Sequence, residues 1–122
     1  MQSRWQPFKS RSDLARALNS GKTVLIDFTA DWCGTCKYYE STVLNTKQVT
    51  SALDKNSVVT FQADWTNGDP EVTAMLELLG AKQVPVIAIF PAKDPNNPIR
   101  FINGYTTAGL LSALDRAGPS LR

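Results

Sequence analysis

Asp27-Phe-Thr-Ala-Asp-Trp-Cys33-Gly-Thr-Cys36-Lys37 joins an apolar run to the start of a predicted helix and contains both cysteines of the chain. The first turn of a helix has unpaired N–H groups and a positive dipole end, which favour a thiolate over a thiol. This placement predicts that Cys33 is an activated nucleophile. Cys36 follows one turn later on the same helical face, where the two sulfurs can close a small disulfide ring and Cys36 can resolve a mixed disulfide.

Other uses of a closely spaced cysteine pair fit this sequence less well. A structural zinc site needs about four ligands, and the chain has no histidine and no further cysteine. Covalent haem attachment requires histidine directly after the second cysteine, where this chain has Lys37. A purely structural disulfide across so short a loop removes little entropy from the unfolded chain. We therefore expect a redox-active pair that needs no metal and no organic cofactor.

Length and charge limit the classes of protein to consider. The 122 residues, 43% of them hydrophobic, predict a single domain over residues 1–122, with an N-terminal extension over residues 1–9 that adds an edge strand through Trp5 and Phe8. The formal net charge is +2 and the charges are scattered, so we expect no nucleic-acid or membrane-surface binding. No segment approaches the roughly 18–20 apolar residues of a membrane span.

The start of the chain gives little information about its compartment. Met1-Gln-Ser-Arg-Trp5 lacks the apolar core of a secretion signal, so the chain as written is expected to be soluble. A domain cut from a larger secreted or membrane protein would lack such a signal too.

Hydrophobic periodicity and turn residues predict an alternation of helices and strands. The helix starts include a capping-box pattern, Ser10-x-x-Asp13, and the pair Asp69-Pro70. Helices are predicted over residues 10–19, 33–44, 46–54, 69–80 and about 106–118, and strands over 23–29, 58–63, 84–90 and 99–102. This order predicts an α/β fold: a mixed four- to five-stranded sheet with helices on both faces and Cys33 at the carboxyl end of a central strand.

Two carboxylates are predicted to lie close to the cysteines. Asp27 stands in a strand expected to be covered on both faces; burial there raises its pKa, which suits it to exchange a proton with Cys36. Glu40 follows Cys36 by four residues on the same helical stripe, and a second carboxylate there disfavours the thiolate. Two simpler interpretations stay open: Asp27 bonds to local backbone, and Glu40 is solvated and paired with Lys37.

Residues flanking the dithiol are candidates for docking a partner protein: Trp32, Gly34, Thr35, Val84, Pro85 and Gly104. Pro85 begins a strand, although proline cannot donate a ladder hydrogen bond. A cis Val84–Pro85 bond would expose the Val84 backbone to an extended partner segment. Frequency alone favours a trans bond, because cis accounts for only about 5–6% of X–Pro bonds. Gly104 is either a simple turn or a close backbone approach beside this groove.

The pattern across nearly the whole chain from about Thr23 resembles the thioredoxin superfamily. The residues that carry this resemblance are Asp27, Ala30, Trp32-Cys33-Gly34-x-Cys36-Lys37, Val84-Pro85 and Gly104. It implies the thioredoxin fold, a cis Val84–Pro85 peptide, Cys33 as the nucleophile and Cys36 as the resolving thiol.

Within that superfamily, the chain is most similar to the C-terminal periplasmic thioredoxin-like domain of DsbD-type thiol:disulfide interchange proteins. The residues concerned are Thr29-Ala-Asp-Trp-Cys33, Glu40 and Ala63-Asp-Trp-Thr66. In that family a buried Asp and Glu flank the dithiol, and they match Asp27 and Glu40. Two departures from cytosolic thioredoxin favour this choice: Thr35 replaces the usual proline, and Gln62 stands where lysine is common.

The resemblance implies an electron relay. Electrons would pass from a membrane-embedded cysteine pair to the disulfides of other periplasmic proteins, with this chain as the soluble, monomeric domain of a larger membrane protein. Two other functions stay open: a cytoplasmic thioredoxin recycled by a flavoenzyme reductase, and a redox-inert interaction module with a fixed bridge. An oxidase is less expected, because a strong oxidant needs an unusually stabilised thiolate and both carboxylates oppose one.

Overall fold

Runs of β-branched and aromatic residues form a five-stranded sheet in this computed structural model, which describes residues 4–122. The strands are β1 (Gln6–Pro7), β2 (Val24–Thr29), β3 (Val59–Asp64), β4 (Val86–Phe90) and β5 (Ile99–Ile102), and their spatial order is β1-β3-β2-β4-β5. β3 pairs in parallel with both β1 and β2, whereas β4 runs antiparallel to both β2 and β5. The carboxyl ends of β2 and β3 therefore meet at the same edge of the sheet.

Helices cover both faces of this sheet. They are α1 (Arg11–Asn19), α2 (Gly34–Tyr39), α3 (Lys47–Lys55), α4 (Pro70–Leu78) and α5 (Thr107–Ala117), with a π-helical turn over Glu40–Leu44 between α2 and α3. Across residues 4–122, none of the helices has the length and apolarity needed to cross a membrane. The predicted α/β architecture is confirmed in its five-stranded form.

Alternate residues of β2 build two separate cores, because successive side chains of a strand point to opposite faces. Val24, Ile26 and Phe28 pack with apolar residues of α1 and α4. Leu25 packs on the other side with apolar residues of the π-helical turn, α3 and α5. All six residues of β2 are buried. By the same alternation, Asp27 shares the α3–α5 side of the sheet with Leu25.

The first helix begins as its capping pattern predicts. The Asp13 carboxylate accepts hydrogen bonds from the backbone N–H groups of Lys9 at 2.8 Å and Ser10 at 3.3 Å. Upstream of this helix, β1 pairs with β3, and Phe8 contacts Phe61 edge-on with ring centroids 6.0 Å apart. β1 falls within the N-terminal segment for which an edge strand is predicted; residues 1–3 of that segment lie outside the described residues.

The helix predicted over residues 33–44 forms, but it changes type at Glu40. The hydroxyls of Ser41 and Thr42 donate to the Tyr38 carbonyl at 3.1 and 2.7 Å and so compete with the α-helical bonding of that carbonyl. The Asn45 N–H then donates to the carbonyl of Glu40, five residues back, at 2.8 Å. Periodicity did not predict this π-helical turn.

Burial of Leu53 on the α3–α5 side of the sheet should contribute to stability. Leu53 in α3 is fully buried, whereas Leu78 in α4 is 64% exposed. We expect Leu53→Ala to lower the free energy of unfolding by about 2–5 kcal/mol, because it removes buried methyl groups and leaves a cavity. The matched change Leu78→Ala should stay within about 0.5 kcal/mol of wild type. Urea unfolding followed by circular dichroism tests this; equal losses for the two variants would contradict the packing described.

Candidate active site

Cys33 and Cys36 lie where β2 leads into α2, joined by a disulfide with their Cα atoms 5.3 Å apart. Cys33 is the N-cap of α2, and its Sγ accepts a hydrogen bond from the Cys36 N–H at 3.1 Å. In the reduced protein this N–H would stabilise a Cys33 thiolate. Cys33 keeps 7% exposure and Cys36 none, so an incoming sulfur reaches Cys33 first.

Ala30 and Val84 pack against the two cysteines. The Val84–Pro85 peptide is cis, as the family resemblance implies; the expectation of a trans bond from frequency alone is wrong. The Asn103 N–H donates to the Pro85 carbonyl at 3.0 Å. Among residues 4–122, the backbone N–H and carbonyl of Val84 have no hydrogen-bond partner. A stretch of unpaired backbone therefore lies beside the disulfide.

The loop after β3 supports the segment that precedes the first cysteine. Trp32 is 61% exposed, its indole N–H donates to the Thr66 carbonyl at 3.0 Å, and its ring lies 6.2 Å from that of Trp65. The Asp31 N–H donates to the Thr66 hydroxyl oxygen at 2.8 Å. Thr66 itself donates to the Asp64 carboxylate through its hydroxyl and, at 2.9 Å, through its N–H.

Asp27 is buried in β2, the strand that leads to Cys33, with only 1% of its surface exposed. Burial, a hydrogen bond with the Glu40 carboxyl group and the charge of Glu40 raise the pKa of Asp27 well above its ordinary value. The side-chain amide of Gln62, which donates to Asp27 at 3.5 Å, and the charge of Lys37 act in the opposite direction. The raised pKa agrees with the prediction from the strand context. The alternative that Asp27 bonds to local backbone does not hold, because its partners are side chains.

Glu40 faces Asp27 from the first residue of the π-helical turn. Its Oε2 atom and the Oδ1 atom of Asp27 are buried without a partner. The alternative of an ion pair with Lys37 is not observed: the ion pairs within residues 4–122 are Arg4–Asp54 and Arg16–Asp13.

Gly104 makes the close approach that the sequence left open. Its φ is +152°, and a Cβ atom there would lie 2.6 Å from the hydroxyl oxygen of Tyr39. Gly34 and Thr35 are exposed between the cysteines, and the space around Gly34 is open. The docking roles of these residues, and of Trp32, Val84 and Pro85, stay predictions, as do the catalytic roles of Asp27 and Glu40.

Sequence reasoning missed three contributors to the site: Asp64 and Thr66, which support the Trp32 segment, and Tyr105, whose buried hydroxyl lies near the carboxyl pair. A signal existed for the first two, because parallel pairing of the predicted strands places Asp64 opposite Thr29. Tyr105 carried no comparable signal beyond following Gly104. Residues 4–122 contain no group of three or more His, Cys, Asp or Glu side chains placed to hold a metal ion.

Comparisons with known proteins bear on this geometry. Residues 4–92 match a family model described as thioredoxin-like. The thiol:disulfide interchange protein DsbD of Photorhabdus laumondii is 37% identical over 90 residues, which are 74% of this chain and 15% of that protein. DsbD of Escherichia coli K12 is 33% identical over 107 residues, 86% of this chain and 19% of that protein. The chain thus spans less than a fifth of the length of these curated relatives.

Solved structures show the same fold. The crystal structure of the oxidised C-terminal domain of Neisseria meningitidis DsbD superposes with a TM-score of 0.71 at 24% identity, covering 92% of this chain and 99% of that one. The crystal structure of chloroplastic thioredoxin z superposes with a TM-score of 0.67 at 20% identity, covering 96% of both chains.

Because the pKa of the buried Asp27 carboxyl group is raised, the free energy of unfolding should depend on pH. Between the ordinary pKa of 3.8 and the raised folded-state pKa, the unfolded chain ionises but the folded protein does not. The free energy of unfolding contributed by this group therefore falls as pH rises through that window, and then levels off. Asp27→Asn removes the effect, so the stability of this variant relative to wild type should increase from about pH 4 upward.

Urea unfolding of the oxidised protein over a pH series measures this difference. The matched control is Asp115→Asn, which makes the same change at an exposed carboxylate on α5. A difference between Asp27→Asn and wild type that does not change with pH would contradict the raised pKa of Asp27.

Gly104→Ala should destabilise the fold by about 1–3 kcal/mol, because it combines an unfavourable φ with a contact against the ring of Tyr39. Gly34→Ala, with nothing within 4 Å of the added methyl group, should remain within about 0.5 kcal/mol of wild type. Thermal unfolding of both variants distinguishes them. Equal melting temperatures would mean that Gly104 is only a turn residue.

Proposed function

Because this chain belongs to the thioredoxin-like family, we propose that it acts as a reductase and electron relay, taking electrons from a membrane-embedded cysteine pair and passing them to periplasmic partner proteins. With its Cys33–Cys36 disulfide on this fold, the chain is a thiol–disulfide oxidoreductase. The observation that carries the proposal is the buried carboxyl group of Asp27, which faces the partly buried Glu40 and lies in the strand that leads to the disulfide. The similarity to DsbD proteins supports the same assignment.

In the first half of the reaction, the reduced protein attacks through Cys33. The Cys33 thiolate forms a bond to one sulfur of the partner disulfide, and the other partner sulfur leaves as a thiolate. The Cys36 N–H, 3.1 Å from Cys33 Sγ, favours the thiolate at this position. The unpaired backbone of Val84 offers hydrogen bonds to an extended partner segment, which aligns its disulfide with Cys33.

In the second half, Cys36 resolves the mixed disulfide. Cys36 Sγ attacks Cys33 Sγ, the bond between Cys33 and the partner breaks, and the partner leaves with both of its sulfurs reduced. Cys36 is fully buried and must lose its proton to a nearby group. The Asp27 carboxylate accepts that proton, since its raised pKa makes it a stronger base than an ordinary carboxylate. Two electrons have then moved from the dithiol to the partner, and an upstream dithiol restores the pair by the reverse steps.

The surrounding charges favour a reductase over an oxidase. A strong oxidant requires a strongly stabilised thiolate, and carboxylates beside the sulfurs disfavour negative charge there. On β3 the neutral amide of Gln62 faces Asp27, so that strand supplies no cation to offset the carboxylates. Lys37 remains exposed on α2. This balance keeps the reduced form ready to give up its electrons.

The two sulfurs carry both electrons in this scheme, so it calls for no metal or organic cofactor. The similarity to DsbD proteins supports a periplasmic location, with this chain as the soluble domain of a larger membrane protein.

Replacing the resolving thiol should trap the intermediate. In Cys36→Ser, the mixed disulfide between Cys33 and a disulfide-containing peptide has no internal thiol to break it, so the adduct should accumulate. Non-reducing electrophoresis and mass spectrometry measure the adduct. The matched variant Cys33→Ser retains only the fully buried cysteine and should form far less of it. Equal trapping by the two variants would contradict the assignment of Cys33 as the nucleophile.

The preferred electron donor separates the proposal from its alternatives. We expect proteoliposomes that contain a reduced DsbD-type membrane cysteine pair to reduce the Cys33–Cys36 disulfide much faster than NADPH with a flavoenzyme thioredoxin reductase. The opposite preference would make the chain a general thioredoxin. A disulfide that resists both donors and small thiols would make it a redox-inert module, and either result overturns the relay.

A further inference from the structure

Four buried polar atoms have no hydrogen-bond partner within residues 4–122: Asp27 Oδ1, Thr29 Oγ1, Glu40 Oε2 and Tyr105 Oη. Buried polar atoms in folded proteins are nearly always bonded, either to protein or to ordered water. Asp27 and Thr29 are two residues apart on β2, so they point to the same face of the sheet. Glu40 faces Asp27 on that side. Unsatisfied atoms that cluster in this way indicate a buried polar site with a shared occupant.

Tyr105 brings the only phenol among these groups, and its position is set by packing. The residue is 5% exposed and belongs to the core between the sheet, α3 and α5. Its ring lies 4.9 Å from that of Tyr39 and 6.4 Å from that of Phe101. Burial raises the pKa of Tyr105, and the charges of Asp27 and Glu40 raise it further. Asp27, Ile87 and Phe101 stand opposite one another on β2, β4 and β5, so their side chains share one face of the sheet. The Tyr105 ring, which packs against Phe101 and Tyr39, therefore lies on the same face as Asp27.

We propose that Tyr105 is a positioning residue for the dithiol: its hydroxyl donates a hydrogen bond to a water molecule that bridges to Asp27 and Glu40. This inference deepens the proposed function and rests on it for the proton-accepting role of Asp27. A buried water makes about three hydrogen bonds. The two carboxyl oxygens and the tyrosine hydroxyl supply that number, and the Thr29 hydroxyl offers one more.

The other groups that face the carboxyl pair do not provide an equivalent buried donor. Gln62 on β3 reaches Asp27 only at 3.5 Å, Lys37 on α2 is exposed, and the second phenol nearby, Tyr39, lies over Gly104. The neighbours from α3 and β4 are apolar, among them Val49, Leu53 and Ile87.

A hydrogen bond donated toward a carboxylate stabilises its charged form. The Tyr105 hydroxyl therefore limits how far burial raises the pKa of Asp27, which leaves the carboxylate ready to accept the proton of Cys36. Without the hydroxyl, Asp27 would retain its proton to higher pH. The resolving step, in which Cys36 Sγ displaces the partner sulfur from Cys33, would then lack its base over a wider range of pH.

Tyr105→Phe tests this, because it removes one oxygen and keeps the ring. In carboxyl ¹³C NMR titrations of the oxidised protein, we expect the pKa of Asp27 to rise by about one unit, as the loss of a hydrogen bond to a charged group implies. The matched control is Tyr38→Phe, which removes the same oxygen from a side chain that is 61% exposed and should leave the titration unchanged. An unchanged or lowered pKa in Tyr105→Phe overturns the proposal.

A measurement on the unaltered protein does not depend on how well the variant folds. The Tyr105 hydroxyl proton should be visible by NMR, protected from exchange with solvent, and its chemical shift should follow the titration of Asp27. Rapid exchange, or a shift that ignores that titration, overturns the proposal. Both NMR tests use the oxidised protein without a partner, so their result is separate from whether the chain works as a reductase.

The kinetic readout concerns the resolving step. Stopped-flow measurement of mixed-disulfide resolution should show Tyr105→Phe slower than wild type at neutral pH, and the two rates should converge as pH rises. A purely structural role would slow the reaction equally at every pH, and that result, or equal rates throughout, would remove Tyr105 from the mechanism.

Discussion

The molecule is organised around a carboxyl group placed inside a strand that is covered on both faces. An ionised carboxylate in such a place costs several kcal/mol unless it is protonated or surrounded by donors. β2 cannot expose Asp27, because the residues on either side of it, Ile26 and Phe28, anchor the opposite core and fix the register of the strand. The pKa of Asp27 is therefore raised in the strand that leads to Cys33 at the edge of the sheet.

The π-helical turn provides the second half of this arrangement. Val43 and Leu44 are buried at its end and hold it against the sheet, while Ser41 and Thr42 loosen its start by bonding to the Tyr38 carbonyl. Glu40 lies between the loosened start and the anchored end, facing Asp27. The hydroxyl groups at the start of the turn and the buried apolar residues at its end thus together determine the position of Glu40. Turns of the π type are frequent at functional sites.

Much of the fold was predictable because local signals agreed with one another. The capping pattern at Ser10, the pair Asp69-Pro70 and the apolar strand that contains Asp27 each mark an element that the structure contains. The strand-to-helix junction also placed Cys33 and Cys36 correctly. Periodicity describes which face of a segment is apolar, and the predicted burial of Asp27 in its strand is confirmed.

What escaped prediction depends on contacts between distant segments. The bond from Asp31 to Thr66 spans 35 residues, and the approach of Tyr105 to the carboxyl pair requires α5, β2 and the π-helical turn to be assembled. The spacing of residues within one helix or strand does not predict which polar atom of a distant segment lies on the other side of a core. The cis peptide at Pro85 belongs to the same category: frequency argued against it, and only the resemblance of the whole pattern implied it.

The unequal burial of the two sulfurs explains why such a site would need an internal proton acceptor. The first attack uses Cys33, which still has contact with solvent at 7% exposure. In the proposed relay, a partner docked on Trp32 and Val84 would cover that remaining opening, and the proton lost by Cys36 could no longer pass directly to water. An acceptor inside the protein would then be needed. Asp27 is proposed for that role, because the burial that makes its charge costly also raises its pKa.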